Sequence, residues 1–93
     1  MAFTITKPLE EHKQEFTTKV NSDSYDKITL VYPIYLQLNI ERESDETAKT
    51  YMHTYIDAVR GFANVAKAEV ELATSVSDMR ATYTTFTSNL ANL

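Results

Sequence analysis

The feature that most constrains this chain is a line of apolar residues that starts at Ala48 and recurs in alternating steps of three and four up to Leu93. A heptad repeat of this length keeps one side of a helix facing a partner, as in a coiled coil. It predicts one long C-terminal helix at about residues 45–92 with a coiled-coil-like seam. The seam residues that we predict to form an oligomer interface are Tyr51, Tyr55, Phe62, Val65, Glu69, Leu72, Val76, Met79, Tyr83, Phe86, Leu90 and Leu93.

Glu69 is the one charged residue in the seam. A lone polar residue at such a position can set the register or the number of partner helices, at a cost in stability. In a parallel symmetric bundle the Glu69 carboxylates would repel one another, which favours an offset, antiparallel or broader arrangement. The alternative is that the carboxylate pairs with a Lys or Arg, or leans into solvent.

A second apolar stripe runs beside the seam in the first half of the predicted helix. Together the two stripes make a wide apolar face, which needs cover on two sides, whereas the narrow seam beyond it needs one partner groove. The residues of the second stripe are Met52, Ile56, Val59, Ala63, Ala66, Val70 and Ala73.

Two places favour a break in the long helix. Gly61 costs about 1 kcal/mol relative to alanine in a helix interior, and Ser75 followed by Asp78 resembles a capping box. We expect a continuous helix because the seam keeps its phase across both places. The alternative is an all-α chain in which the helix is broken into a hairpin near residues 74–78.

Strict alternation of apolar and polar residues at about 27–41 predicts an edge strand. Pro33 has no N–H to donate to a β-ladder, so it marks an edge or a bulge. Because a single strand is not stable alone, its hydrogen bonds would continue into another chain. The rival interpretation is a kinked helix, whose stripe would contain Ile28, Tyr32, Tyr35 and Leu38.

The N-terminal residues predict a short strand at residues 2–6 and a short helix from about Pro8 to Val20, which the turn-forming residues 21–24 end. The predicted fold class is therefore α+β and mostly α. We expect a single domain over residues 1–93, in which 1–43 form the N-terminal helix and strand and 44–93 form the oligomerising helix.

Composition narrows the classes of function. A net charge of −4 and a pI near 5.0, without a basic cluster, argue against nucleic-acid binding. No apolar stretch is long enough to span a membrane, and the N-terminus lacks the pattern of a secretion signal, so we expect a cytoplasmic or virion-associated protein. Cysteine is absent, and the chain has one glycine, which argues against the usual nucleophile and phosphate-binding motifs.

The histidines do not indicate a metal site or a catalytic site. His12 has Glu11 and Glu15 beside it, and His53 lies between Lys49 and Asp57 at helical spacing. Neither pattern supplies enough ligands for a closed metal site. We therefore expect no catalytic residue, no metal and no cofactor.

An acidic cluster and one tyrosine are the candidates for binding a different partner: Glu41, Glu43, Asp45, Glu46 and Tyr35. The acids could meet a basic protein surface, or they could cap the start of the long helix and lie in solvent. Tyr32 and Tyr35 would lie on opposite faces of a strand, which leaves one of them available for recognition.

The sequence thus predicts a non-enzymatic, self-associating structural or assembly protein that forms homo-oligomers through the seam and the strand edge. The Thr-rich, Gly-poor composition suits a small viral component. The alternative function is a small acidic inhibitor or sequestering protein that binds a host protein or a small ligand.

Overall fold

The computed structural model describes residues 8–93, and the regular structure in this range is entirely helical. Helix α1 spans Leu9–Val31, α2 spans Ile34–Arg42, α3 spans Glu46–Leu72 and α4 spans Val76–Ala91. The predicted α+β fold is therefore wrong, and the all-α alternative is confirmed. The strand predicted at residues 2–6 lies outside the described residues.

The predicted edge strand at 27–41 is instead the end of α1 followed by α2. In a helix, residues four apart lie on one face and residues two apart lie on opposite faces. Apolar residues at every second position therefore also make two opposite apolar faces of a helix. One of these faces packs towards α3 through Ile28, Tyr32, Leu36 and Ile40. The other face, with Leu30, Ile34 and Leu38, is exposed.

Pro33 separates the two helices without harming either. It lies at the N-cap of α2 with a φ of −54°. The first N–H groups of a helix have no partner within the helix, so a residue without an N–H loses nothing there. The kink therefore replaces the sheet bulge that the sequence predicted.

α1 is longer than the predicted helix, which was to end near Val20. It continues through the turn-forming residues 21–24 and has 23 residues. The hydroxyl of Ser24 donates a hydrogen bond of 2.7 Å to the carbonyl of Val20, and Ser24 is buried. Its polar side chain is thus satisfied within the helix, and packing overrides its preference for a turn.

The predicted continuous helix at 45–92 is also wrong, because it is broken between Leu72 and Val76. Ser75 is the N-cap of α4, and its hydroxyl accepts a hydrogen bond of 3.1 Å from the N–H of Asp78. The predicted start is accurate: Asp45 caps α3 and accepts hydrogen bonds from the first turn. α4 folds back and packs its part of the seam against α1 and α3. The regular spacing of apolar residues therefore continues in the sequence although the helix is broken.

α1, α3 and α4 pack together as a bundle, and α2 packs chiefly on α3. The molecule measures 67 × 20 × 18 Å. In the central cluster, residues of all three bundle helices meet: Val20, Val59, Ala63, Ala66, Phe86 and Leu90. The alanines of α3 leave room for the ring of Phe86, which is only 2% exposed. At the α2 end, Ile40 packs with Met52 and Ile56 in a cluster that contains no α4 residue.

Lys13 joins α1 to the end of α3. Its ammonium donates a hydrogen bond of 2.7 Å to the carbonyl of Glu71, and its side chain is buried. α3 has no basic residue in its own last turn. A cation is stabilising at this end of a helix, because the last carbonyls carry the negative end of the dipole.

Truncating the centre of the core should destabilise the fold far more than truncating the exposed part of the seam. We expect Phe86→Ala to lower the free energy of unfolding by about 3–5 kcal/mol, because it removes a buried ring and leaves a cavity. The measurement is urea denaturation followed by circular dichroism.

The matched control is Leu72→Ala. Leu72 belongs to the same predicted seam but is 82% exposed, so in dilute protein, where copies of the chain are separate, we expect a change within about 0.5 kcal/mol. Equal effects of the two substitutions would contradict the hairpin packing of α4 on α3.

Candidate interaction surface

Five of the large exposed apolar side chains lie around the kink between α1 and α2. We call this surface the outer patch, and it consists of Leu30, Val31, Ile34, Tyr35 and Leu38, which are 77%, 43%, 51%, 69% and 54% exposed. Because α2 turns its other face to α3, these side chains lie on the side that the chain itself leaves uncovered. Large exposed apolar patches mark interaction sites in soluble proteins.

Sequence reasoning missed the outer patch as a unit because it assigned these residues to a strand. In a strand, Leu30, Ile34 and Leu38 share a face with the buried Ile28 and Ile40. Pro33 could have indicated that the exposed and the buried residues lie on different faces. A proline is compatible with the start of a helix, whereas in a central strand it removes a hydrogen bond. Tyr35, one of the residues predicted to bind a partner, belongs to this patch.

The α3 part of the predicted seam is partly exposed. Tyr51, Val65 and Leu72 are 69%, 59% and 82% exposed, while Tyr55 and Phe62 are half-buried. The buried face of α3 is the second stripe, from Met52 to Ala73. The exposed seam residues of α3 therefore lie beside the core and form a second apolar line on the surface.

The α4 part of the seam lies mostly inside the chain. Met79, Phe86 and Leu90 are buried, and Val76 and Tyr83 are half-buried. Leu93 remains 43% exposed. These residues fill the core that α4 makes with α1 and α3, so the structure separates them from the exposed seam residues of α3. The role of the seam as an oligomer interface stays a prediction.

Glu69 is exposed and lines a shallow groove between α3 and α4. Phe62 and Val65 precede it along α3, and Thr82, Thr85 and Phe86 face it from α4. Its side chain is thus exposed at the edge of the core, and its role in setting the register of an oligomer stays a prediction.

Most of the acidic cluster has a partner within the chain. Asp45 accepts hydrogen bonds from the N–H groups of Thr47 at 2.9 Å and Ala48 at 3.3 Å. This capping satisfies backbone donors at the start of α3. Glu46 lies 3.5 Å from the ammonium of Lys49.

Glu41 connects α2 to α3 through a 2.5 Å contact between its Oε1 and the Nε2 of His53. Glu43 is exposed at the C-cap of α2, and its side chain has no hydrogen bond or ion pair within residues 8–93. The structure therefore brings the acids together at the α2–α3 turn, where they chiefly hold that turn in place.

A polar contact between α1 and α4 was not predicted. The hydroxyl of Tyr83 donates a hydrogen bond to the carboxylate of Asp23, and the Lys19 ammonium lies 4.5 Å from the centre of the Tyr83 ring. The hydrogen bond to Asp23, helped by partial burial and the negative charge, raises the pKa of Tyr83 to about 12. The two residues are sixty positions apart in sequence, so no local pattern reveals the pair.

Tyr55 is a second tyrosine with a shifted pKa. Burial, and to a lesser extent the neighbouring Tyr32, raise the pKa of its hydroxyl above the usual value. The two rings lie 5.6 Å apart between their centres. The contact helps to hold the end of α1 on α3, and it is aromatic packing of an ordinary kind.

Groups for chemistry are sparse in the described part of the chain. Between residues 8 and 93, no group of three or more His, Asp or Glu residues is arranged to hold a metal ion. His12 lies 3.9 Å from Glu15, at a cleft of about 260 Å³ between α1 and α4 that is lined by Phe16, Lys19, Val76 and Arg80 as well. The absence of catalysis and of a cofactor stays a prediction.

None of the helices within residues 8–93 combines the length and the apolar content that crossing a bilayer requires. In comparisons with known proteins, no protein family matches the chain, and no curated protein or solved structure is significantly similar to it. The outer patch and the exposed seam of α3 are thus interpreted from their own geometry.

The contact between Tyr83 and Asp23 makes stability depend on pH in the alkaline range. Because the pKa of Tyr83 is raised above its ordinary value of 10.0 to about 12, the folded state holds the proton more tightly than the unfolded state. Its contribution is fully present below pH 10 and is lost as the pH rises through about 12. We expect Asp23→Asn to lower the pKa of Tyr83 towards 10, measured by the ultraviolet absorbance of tyrosinate.

The control for this titration is Asp57→Asn, which changes an exposed carboxylate of α3. It should leave the highest tyrosine pKa unchanged. If both variants titrated alike, the hydrogen bond between α1 and α4 would not be the cause of the shift.

Proposed function

We propose that this protein is a non-enzymatic structural or assembly component that associates with copies of itself through helix faces. The observation that carries the proposal is the outer patch, where five large apolar side chains are between 43% and 77% exposed on a chain of 93 residues. Removing apolar surface from water contributes roughly 25 cal/mol per Å², so a partner that covers these side chains gains stability.

The small size of the chain supports the proposal. A domain of this length buries a smaller fraction of its surface on folding than a larger domain does. The α2 end relies on the contacts of Ile40, Met52 and Ile56. A neighbouring chain on the outer patch would give this end the third layer that α4 supplies to the rest of the bundle.

A second apolar surface supports a role in assembly rather than a single pairing. Tyr51, Val65 and Leu72 lie at multiples of seven residues along α3 and are more than half exposed. Seven residues are close to two helical turns, so the three side chains lie in one line. A chain with two separate apolar surfaces can contact two neighbours at once, which an extended or closed assembly requires.

The acidic cluster favours this proposal over the inhibitor alternative. Glu41 contacts His53 across the α2–α3 turn, Asp45 caps the start of α3, and Glu46 lies near Lys49 on its own helix. A surface that captured a basic partner would need those charges to be available. That the protein is a viral component stays a prediction from composition.

Sedimentation equilibrium tests the proposal directly. We expect the wild-type protein to have a mass that is a multiple of 10.6 kDa at micromolar concentration. The double variant Leu30→Gln with Leu38→Gln should shift the mass towards that of the monomer, because it removes apolar contact area while glutamine keeps a high helix propensity.

The matched control is Gln14→Leu, which places an apolar side chain at an exposed position of α1 away from the outer patch. Its mass should equal that of the wild type. A wild-type protein that stays monomeric at high micromolar concentration would refute self-association.

A further inference from the structure

Every fourth residue from Asp26 to Arg42 is exposed, on α1 before the non-helical Tyr32 and Pro33 and on α2 after them, and we call these residues the ridge. Its members are Asp26, Leu30, Ile34, Leu38 and Arg42. Asp26 and Leu30 belong to α1 and the other three to α2, and the spacing of four is kept across Pro33.

The ridge has the same apolar residues on both sides of Ile34 and opposite charges at its two ends. A leucine lies one turn before Ile34 and another lies one turn after it. Two turns away, the ridge ends in a negative charge at Asp26 and a positive charge at Arg42. An antiparallel copy would therefore place leucine beside leucine and would place Asp26 beside Arg42 at both ends.

The neighbouring charges agree with this register. Lys27 lies next to Asp26 in the sequence and carries the opposite charge. Shifting the antiparallel register by one residue would place Lys27 beside Arg42, and a parallel arrangement would place each charge beside its own copy. Like charges in contact are destabilising, so both alternatives are disfavoured.

The end charges of the ridge are available for a partner. Within residues 8–93, neither the Asp26 carboxylate nor the Arg42 guanidinium makes a hydrogen bond or an ion pair. In contrast, Glu10 and Glu46 each lie within 4 Å of a lysine on their own helix. Exposed, unpaired charges of opposite sign at the two ends of an apolar ridge suit pairing with an identical ridge.

We propose that two copies of this chain form an antiparallel homodimer through the ridge, with the two-fold axis at Ile34. This inference rests on the proposed function and names its partner, its surface and its orientation. A two-fold interface uses the same surface on both subunits, so each copy supplies one Asp26 and one Arg42 to the two ion pairs. The apolar contacts of Leu30, Ile34 and Leu38 supply the affinity, and the charges select the orientation.

Charge exchange tests the orientation. Asp26→Arg and Arg42→Asp each replace both ion pairs of the dimer with like charges. Because two contacts are reversed in each dimer, we expect either single variant to raise the dissociation constant about tenfold at low ionic strength. The double variant carries the charges in exchanged positions and keeps the net charge, so its dissociation constant should return to that of the wild type.

The effect of the single variants should diminish at high salt, where exposed charges are screened. A wild-type dimer whose dissociation constant is unchanged by either single variant, or a double variant as weak as the single ones, would overturn the antiparallel ridge. Self-association, and with it the proposed function, would stand. A monomeric wild type would overturn both.

Disulfide cross-linking tests the two-fold axis separately. The chain has no cysteine, so a single introduced thiol can be oxidised without competition. Ile34→Cys places the thiols of two copies at the axis, within the short distance that a disulfide requires. We expect it to give covalent dimers on oxidation.

Leu30→Cys is the matched control, because in the antiparallel dimer it faces Leu38 of the other copy. Alone it should not cross-link, whereas an equal mixture with Leu38→Cys should. Covalent dimers from Leu30→Cys alone, formed as readily as those from Ile34→Cys, would show a parallel arrangement and overturn the proposal.

Discussion

The fold depends on the return of α4 into the groove between α1 and α3. Without α4, the cluster around Ala63 and Ala66 of α3 would lose Phe86 and Leu90, and only α1 would cover it. Phe86 enters where these alanines leave space, and it is almost completely buried. Close packing of this kind contributes through many small contacts. The hydrogen bond between Tyr83 and Asp23 then holds α4 in position along α1.

The same arrangement explains where the candidate interaction surface lies. The α4 helix has 16 residues and α3 has 27, and the cluster at the α2 end contains no α4 residue. There the apolar residues of α1 and α2 occupy two opposite faces, of which α3 covers one. The outer patch is what remains, and the charges of Asp26 and Arg42 at its two ends give it a direction. A surface with apolar content and directional charge favours a specific partner over nonspecific aggregation.

Local chemistry made some of this structure predictable. The acids near Ser44 indicated the start of α3, because a carboxylate there satisfies free N–H groups, and Asp45 does so. The second stripe, from Met52 to Ala73, was recognised as apolar, and it is the buried face of α3. Ser75 and Asp78 also indicate a helix start, and α4 begins there, although the regular spacing of the seam predicts a continuous helix. The prediction of a strand at 27–41 was wrong because apolar residues at every second position fit two structures. They form one face of a strand, and they also form two opposite faces of a helix.

The sequence by itself determined that the chain is rich in helix after residue 44, where α3 begins, and where capping residues permit a new helix. These properties depend on contacts between residues a few positions apart. Only the tertiary structure decided that the chain turns back before α4, that Met79, Phe86 and Leu90 are core residues, and that Leu30, Ile34 and Leu38 face outward. The physical reason is that an apolar side chain has no preferred face until another helix covers it, and that helix comes from a distant part of the sequence.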